Sequence, residues 1–397
     1  MIICHSLTLV ARNGAASVSE RCPACYDQIM EAGRPRGGLS RRFLLAAACG
    51  FTTSGLAKKG DDFPPERVRY PDPTTEFEVL RLTSPEYASY LPPPQLRCIS
   101  QSSGFLVFTS DRAGSPQVFR MELRSGATRQ LTSGAQIDSL SVGLMPGDRS
   151  LVCFDGPRLI QVGFTSLRER VVYEVPQGWT RTEGCGLTED GLYASFAEQR
   201  DGRSRLRLVS LTKGTAATLA EAGGVMSHPM PRPRRDSVLY RLGGDLWLVH
   251  FDGKQNRRLR LAGGVTGPAL WSPDGKTVLY LNYPSDPGQL HALREFTPDE
   301  QTDKLISKTS QYVNFARNAN ASVFLGVSRN KASPVILLML RSVRRELTLC
   351  EHRAGDPAAV ALVFAPNSQS MYFQSDRHGR SALYSMAIDR LVEKTSD

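Results

Sequence analysis

Trp271-Ser-Pro-Asp-Gly-Lys-Thr-Val-Leu-Tyr-Leu281 sets a turn through Pro273, Asp274 and Gly275 and runs straight into a β-branched and aromatic strand. Degraded copies recur at Ser103-Gly-Phe-Leu-Val-Phe108, Pro146-Gly-Asp-Arg-Ser-Leu-Val-Cys-Phe154, Glu189-Asp-Gly-Leu-Tyr-Ala194 and Arg235-Asp-Ser-Val-Leu-Tyr240. Two more follow at Asn318-Ala-Asn-Ala-Ser-Val-Phe-Leu325 and Pro366-Asn-Ser-Gln-Ser-Met-Tyr-Phe373. Seven copies at intervals of roughly 40 to 48 residues predict an all-β, seven-bladed β-propeller of four-stranded blades over residues 74–390. Function is then to be sought in the central channel, where the repeats converge.

The ends of the array agree with a closed ring. Residues 76–83, Glu-Phe-Glu-Val-Leu-Arg-Leu-Thr, alternate like an outer strand but have no blade of their own. The C-terminal part supplies three strands, 358–363, 370–374 and 382–388, without a fourth. The N-terminal strand is therefore expected to complete the last blade and cover both sheet edges.

Ahead of the array, Ser40-Arg-Arg-Phe-Leu-Leu45 and a short apolar run to Ala57 read as a twin-arginine export signal over about 38–57. Residues 1–57 are then a leader, and the protein is expected to be periplasmic or secreted. Because such a signal begins near the start of a chain, Met30 is the expected initiator and 1–29 a misassigned extension. Cys49 is a weaker candidate for lipidation, and the Cys22-Pro-Ala-Cys25 pair lacks the second pair a zinc site needs. Residues 58–73, rich in Pro, Asp and Arg, read as a linker, and 391–397 as a tail.

The chain carries 49 Lys and Arg against 39 Asp and Glu, a net charge of +10, which favours anionic partners. There is no basic run with interleaved aromatics of the kind that binds single-stranded nucleic acid, and no apolar run long enough to span a membrane. No nucleophile elbow, phosphate loop or His-Glu-x-x-His helix appears.

The strand just before each turn should be innermost, so that its first residues face the channel: Arg97, Asp138, Thr182, Ser227, Thr266, Tyr312 and Asp356 open the seven. Val225-Met-Ser-His-Pro-Met-Pro-Arg-Pro233 puts His228 at one of these starts, with Pro229 expected to hold the His backbone extended. Arg205, in Ser204-Arg-Leu-Arg-Leu-Val209, alternates with apolar residues as a solvated strand residue does. Cys98, Cys153, Cys185 and Cys350 fall in or beside strands and read as small buried hydrophobes.

Several segments resemble the oligogalacturonate lyase family: Glu78-Val-Leu-Arg-Leu-Thr-Ser-Pro85, Gln130-Leu-Thr132, Tyr173-Glu-Val-Pro-Gln-Gly-Trp179, residues 204–214, Ser227-His-Pro-Met-Pro-Arg-Pro233, Trp271-Ser-Pro-Asp-Gly275 and Gln374-Ser-Asp-Arg-His-Gly379. The Pro-Asp-Gly and Ser-Asp-Arg-x-Gly pieces are shared with Tol-type propellers. The Val-Pro-x-x-Trp piece and the Arg-to-His-Pro register are more specific. The resemblance implies a seven-bladed propeller that cleaves short pectin fragments by β-elimination with the help of manganese, and it makes His228 and Arg205 catalytic. Where the family has its metal-binding side chains, however, this chain has Gly267, Asp356, Ala359 and Ala361, so no metal cofactor is expected. Arg97 and Asp356 are candidates for substrate binding, and His352 a stray ligand or, more simply, a strand-end surface His. The partner implied is an anionic galacturonate oligomer. The alternatives are a metal-free propeller that only binds acidic sugar and a Tol-type protein-interaction propeller.

Overall fold

The computed structural model describes residues 58–392. The leader, Met30, Cys49 and the Cys22/Cys25 pair lie outside the described residues. The turn repeat builds seven antiparallel sheets, each a blade, arranged as a propeller. One hydrogen bond closes the innermost turn of every blade: the backbone N–H of Ser100, Met145, Thr188, Arg232, Ser272, Asn318 and Ala365 donates to the carbonyl five residues on. Pro-Asp-Gly is one way of making that five-residue turn, and Ser-Ser-Gly or Asn-Ala-Asn are others.

Tyr193–Arg200, Arg203–Ser210 and Ala216–Gly223 form the outer part of the third blade, with Thr180–Arg181 and Gly186–Leu187 on its inner side. Met226–Pro231, Ser237–Leu242, Asp245–His250 and Arg257–Arg258 make the fourth. In the second and seventh blades the innermost strand is preceded by a single 3-10 turn, capped by Asp138 and Asp356 through a bond from the backbone N–H two residues on. The core lies between blades rather than along the axis. Phe154, Val172, Phe196 and Val209, for example, interlock the second and third blades, which is how twisted four-stranded sheets bury both faces.

Ring closure follows the expected route. Glu78–Arg81 pairs with Ala382–Ala387, setting Leu80 opposite Ser385 and Arg81 opposite Tyr384, so the N-terminal strand finishes the blade begun by Leu362–Phe364. The stretch 58–73 is corrected from a plain linker. Asp62–Phe63 extends the first blade beside Thr128–Gln130, and Val68–Pro71 extends the last beside Glu78–Arg81. These strands are too short and too rich in Pro and charge to show a hydrophobic period, yet they fasten both blades at the seam, and Phe63 stacks edge-on against Phe119. Val79 is fully buried in the closing strand. Val79→Ala is expected to lower stability by about 2 kcal/mol through the cavity it leaves. A denaturant melt checks this, and an unchanged midpoint would mean that the closing strand is not integral to the ring.

Cys98, Cys153, Cys185 and Cys350 are free and fully buried, and burial pushes the thiols of Cys98 and Cys185 up to about 12. No helix of the described residues is long and apolar enough to cross a membrane.

Candidate active site

The innermost strand of the fourth blade does not run smoothly. Ser227 stands opposite Arg241 and Met230 opposite Leu239, so His228 and Pro229 together oppose one residue, forming a bulge. His228 has φ +49°, a left-handed backbone, where an extended one is expected before proline. The bulge overrides the local preference: the His228 N–H donates to the Glu183 carbonyl of the neighbouring blade at 2.9 Å, and Thr182 Oγ1 donates to the Met226 carbonyl at 2.6 Å. Gly184 allows this approach, since a Cβ there would meet the His228 Cα at 2.8 Å. A non-glycine residue at positive φ costs about 1 to 3 kcal/mol and persists where its surroundings fix it.

The imidazole that the bulge presents is 39% exposed, with Nδ1 3.0 Å from Ser227 Oγ and Nε2 3.4 Å from the Glu183 carboxylate. Burial lowers its pKa below the ordinary 6.5. Glu183 opposes the shift and the cationic Arg241 adds to it. The result is a neutral imidazole at neutral pH, open to solvent, which can accept a proton.

Arg241 reaches the other way, into the fifth blade. Its guanidinium donates to the Thr266 carbonyl at 3.2 Å and also to the Gly267 carbonyl. The fifth blade repeats the bulge, with Gly267 and Pro268 in the places of His228 and Pro229. A Cβ at Gly267 would strike the Tyr283 ring at 2.6 to 2.8 Å, so that ring fills the space a side chain at 267 would take. Burial raises the Tyr283 phenol to about 12, with Arg241 and Arg329 drawing it back down. Its hydroxyl lies 3.3 Å from the Val313 carbonyl. Beyond Val313 opens a cavity of about 520 Å³ lined by Arg329, Lys331, Arg353 and Asp356. One end of the ring thus carries an imidazole and a run of cations.

Arg205 sits two strands out from the axis in the third blade and faces the second. Its Nε donates at 2.6 Å to Glu198, a fully buried carboxylate that also receives the Tyr173 hydroxyl at 2.7 Å. Its guanidinium stacks 3.8 Å above the Trp179 ring. Arg205 and His228 belong to neighbouring blades, and among the described residues no hydrogen bond or ion pair joins them. Trp179, Glu198, Glu183, Arg241 and Tyr283 were not picked out from sequence. Only the Val-Pro-x-x-Trp segment hinted at any of them.

Arg97 is not brought to His228. Its guanidinium pairs with Asp148 and donates to the Met145 carbonyl at 2.6 Å, in the turn of the second blade. That places it at the turn end of the axial channel, in a cavity of about 510 Å³ to which all seven blades contribute. Asp356 spends one oxygen on its own turn, 2.9 Å from the Ala358 N–H. His352 is not a surface residue: it is fully buried, with Nε2 on the Ser328 carbonyl at 3.0 Å and Nδ1 accepting the Ala354 N–H at 3.1 Å, so neither nitrogen is left for a ligand.

These residues do not fit the metal centre that the resemblance implies. Gly267 offers no donor and its side-chain space holds Tyr283; Ala359 and Ala361 offer only carbonyls, which already receive Gln374. Among the described residues no three His, Cys, Asp or Glu side chains converge on a point. A manganese ion wants nitrogen or carboxylate donors, and a guanidinium stands beside the position instead.

A family model described as oligogalacturonate lyase matches residues 57–190. The chain is 22% identical over 377 residues to the oligogalacturonide lyase of Pectobacterium atrosepticum, covering 82% of this chain and 97% of that one. It is 22% identical over 366 residues to the oligogalacturonate lyase of Dickeya dadantii, covering 79% and 94%. The solved structure of an oligogalacturonate lyase in complex with manganese has a TM-score of 0.79 at 22% identity, covering 83% of this chain and 98% of that one. At such identity this structural likeness speaks for the fold.

Proposed function

We propose, on the premise that the chain belongs to the oligogalacturonate lyase family, that it cleaves short 4-linked galacturonate oligomers by β-elimination with His228 as the base. The observation that carries this is the His228 bulge: a strained backbone holds a solvent-open, neutral imidazole at the cationic end of the ring. In the reaction the proton on C5, next to the carboxylate, passes to the imidazole. The C5–H electron pair becomes the C4=C5 double bond, and the C4–O pair leaves with the glycosidic oxygen, which takes a proton from water. The imidazolium returns its proton to water. Such a positioned base is worth roughly 10² to 10⁴ in rate.

A base must be neutral to act, and burial depresses the His228 pKa. The rate is therefore expected to rise with pH along a limb lying below about 6.5, the ordinary imidazole value, and to be flat at neutral pH. A pH profile of kcat/KM on digalacturonate checks this. A limb centred above 7 would mean that His228 is not the titrating base.

A second reading, binding of acidic sugar without turnover, is favoured by Tyr283 in the space beside Gly267. It predicts that digalacturonate binds and is recovered intact. Export through the twin-arginine signal at about 38–57 belongs to the same proposal and rests on the paired Arg41 and Arg42 ahead of a short apolar run.

A further inference from the structure

Among the described residues Arg241 is a half-buried cation paired with no carboxylate: the titratable groups it acts on are the Tyr283 phenol and the His228 imidazole, and its protein partners are the Thr266 and Gly267 carbonyls. Most of the chain's buried guanidinium groups are treated differently. Arg112 pairs with Glu66, Arg232 with Asp299 and Arg205 with Glu198. Taking a charge out of water without a counter-ion is unfavourable, so such a group in an open site is poised to receive an anion.

The geometry fits a carboxylate. Of the five N–H donors of a guanidinium, two go to the two carbonyls, which fix the plane of the group, and three remain. Arg241 stands opposite Ser227 across the strand pair, next to the residue that carries the base. It also lies beside the Tyr283 ring that fills the missing side chain's place at Gly267.

We propose that Arg241 binds the carboxylate of the sugar that loses its C5 proton, so that a fixed guanidinium stabilises the charge building there and the site works without a metal ion. This rests on the lyase reading and names the group that makes it possible. Removal of a proton next to a carboxylate loads charge onto the carboxylate oxygens, and a pre-fixed bidentate donor meets that charge without reorganising. Arg329, which also acts on Tyr283 and lines the cavity beyond Val313, is a further cation for a second uronate.

The test is calorimetric titration of digalacturonate, and of its dimethyl ester, into wild type, Arg241→Met and Arg241→Lys in the presence of EDTA and again with added manganese. Wild type is expected to bind digalacturonate equally with EDTA or manganese. Arg241→Met should lose at least about tenfold in affinity, Arg241→Lys less, and the ester should bind wild type about as weakly as the acid binds Arg241→Met. If Arg241→Met does not fold, the Lys variant and the ester decide the matter alone. Equal affinity of acid and ester for wild type, undiminished affinity in Arg241→Met, or binding that EDTA abolishes and manganese restores would each overturn this inference while leaving the lyase reading intact. A wild type that binds nothing under either condition would overturn both.

Discussion

His228→Ala is expected to lower the rate of elimination from digalacturonate at least about 100-fold while leaving the melting temperature within a few degrees of wild type. The side chain is partly exposed and holds only Ser227 and Glu183, so its removal opens no cavity. The backbone bond to Glu183 survives the substitution. His228→Gly separates function from strain more sharply. At φ +49° glycine relieves a conformation that costs other residues about 1 kcal/mol or more. That variant should therefore be more stable than wild type and equally dead. Unchanged turnover in either variant would remove His228 from the chemistry. A His228→Gly protein that is less stable would mean that the imidazole contacts, and not the reaction, justify the bulge.

Glu198→Ala is expected to cost about 3 kcal/mol or more of stability. The carboxylate is wholly buried and serves Arg205, the Tyr173 hydroxyl and, at 3.8 Å, Arg207. Removing the anion leaves two guanidinium groups without the carboxylate they share, and breaking buried ion pairs typically costs 3 to 5 kcal/mol. Arg205 also keeps its place over Trp179 through this pair, so substrate affinity should fall along with stability if Arg205 takes part in binding. Chemical denaturation measures the first effect and titration the second. A stability loss below about 1 kcal/mol would show that water screens the cluster as it does a surface pair.

The architecture was legible because it rests on local chemistry repeated seven times. One five-residue turn ahead of a β-branched strand needs no partner to be recognised, and the orphan strand at 76–83 announced the closure by its lack of a blade. The strands 62–63 and 68–71 were hidden because each is too short to show alternation and one ends in proline. At the site, His228 stands out through its place at a strand start, but its backbone departs from the extended form expected there: proline sets a preference that the bulge and the contacts from Thr182, Glu183 and Gly184 override. Arg241 and Tyr283 could not be read at all. Each is an ordinary strand residue in sequence, and their meaning comes from Gly267: the Tyr283 ring fills its side-chain space from the same blade, and Arg241 reaches its carbonyl from the neighbouring one. The separation of Arg97 from His228 is of the same kind, since its side chain takes its direction from Asp148 in the turn of the neighbouring blade.

The most direct test of the lyase reading is the ultraviolet absorbance of the conjugated uronate that elimination creates, followed when purified protein meets digalacturonate in excess EDTA. Absorbance is expected to rise with wild type in the chelator, at the same rate when manganese replaces it, and to stay flat with His228→Ala. No rise from wild type under either condition, with the dimer recovered whole, would contradict it.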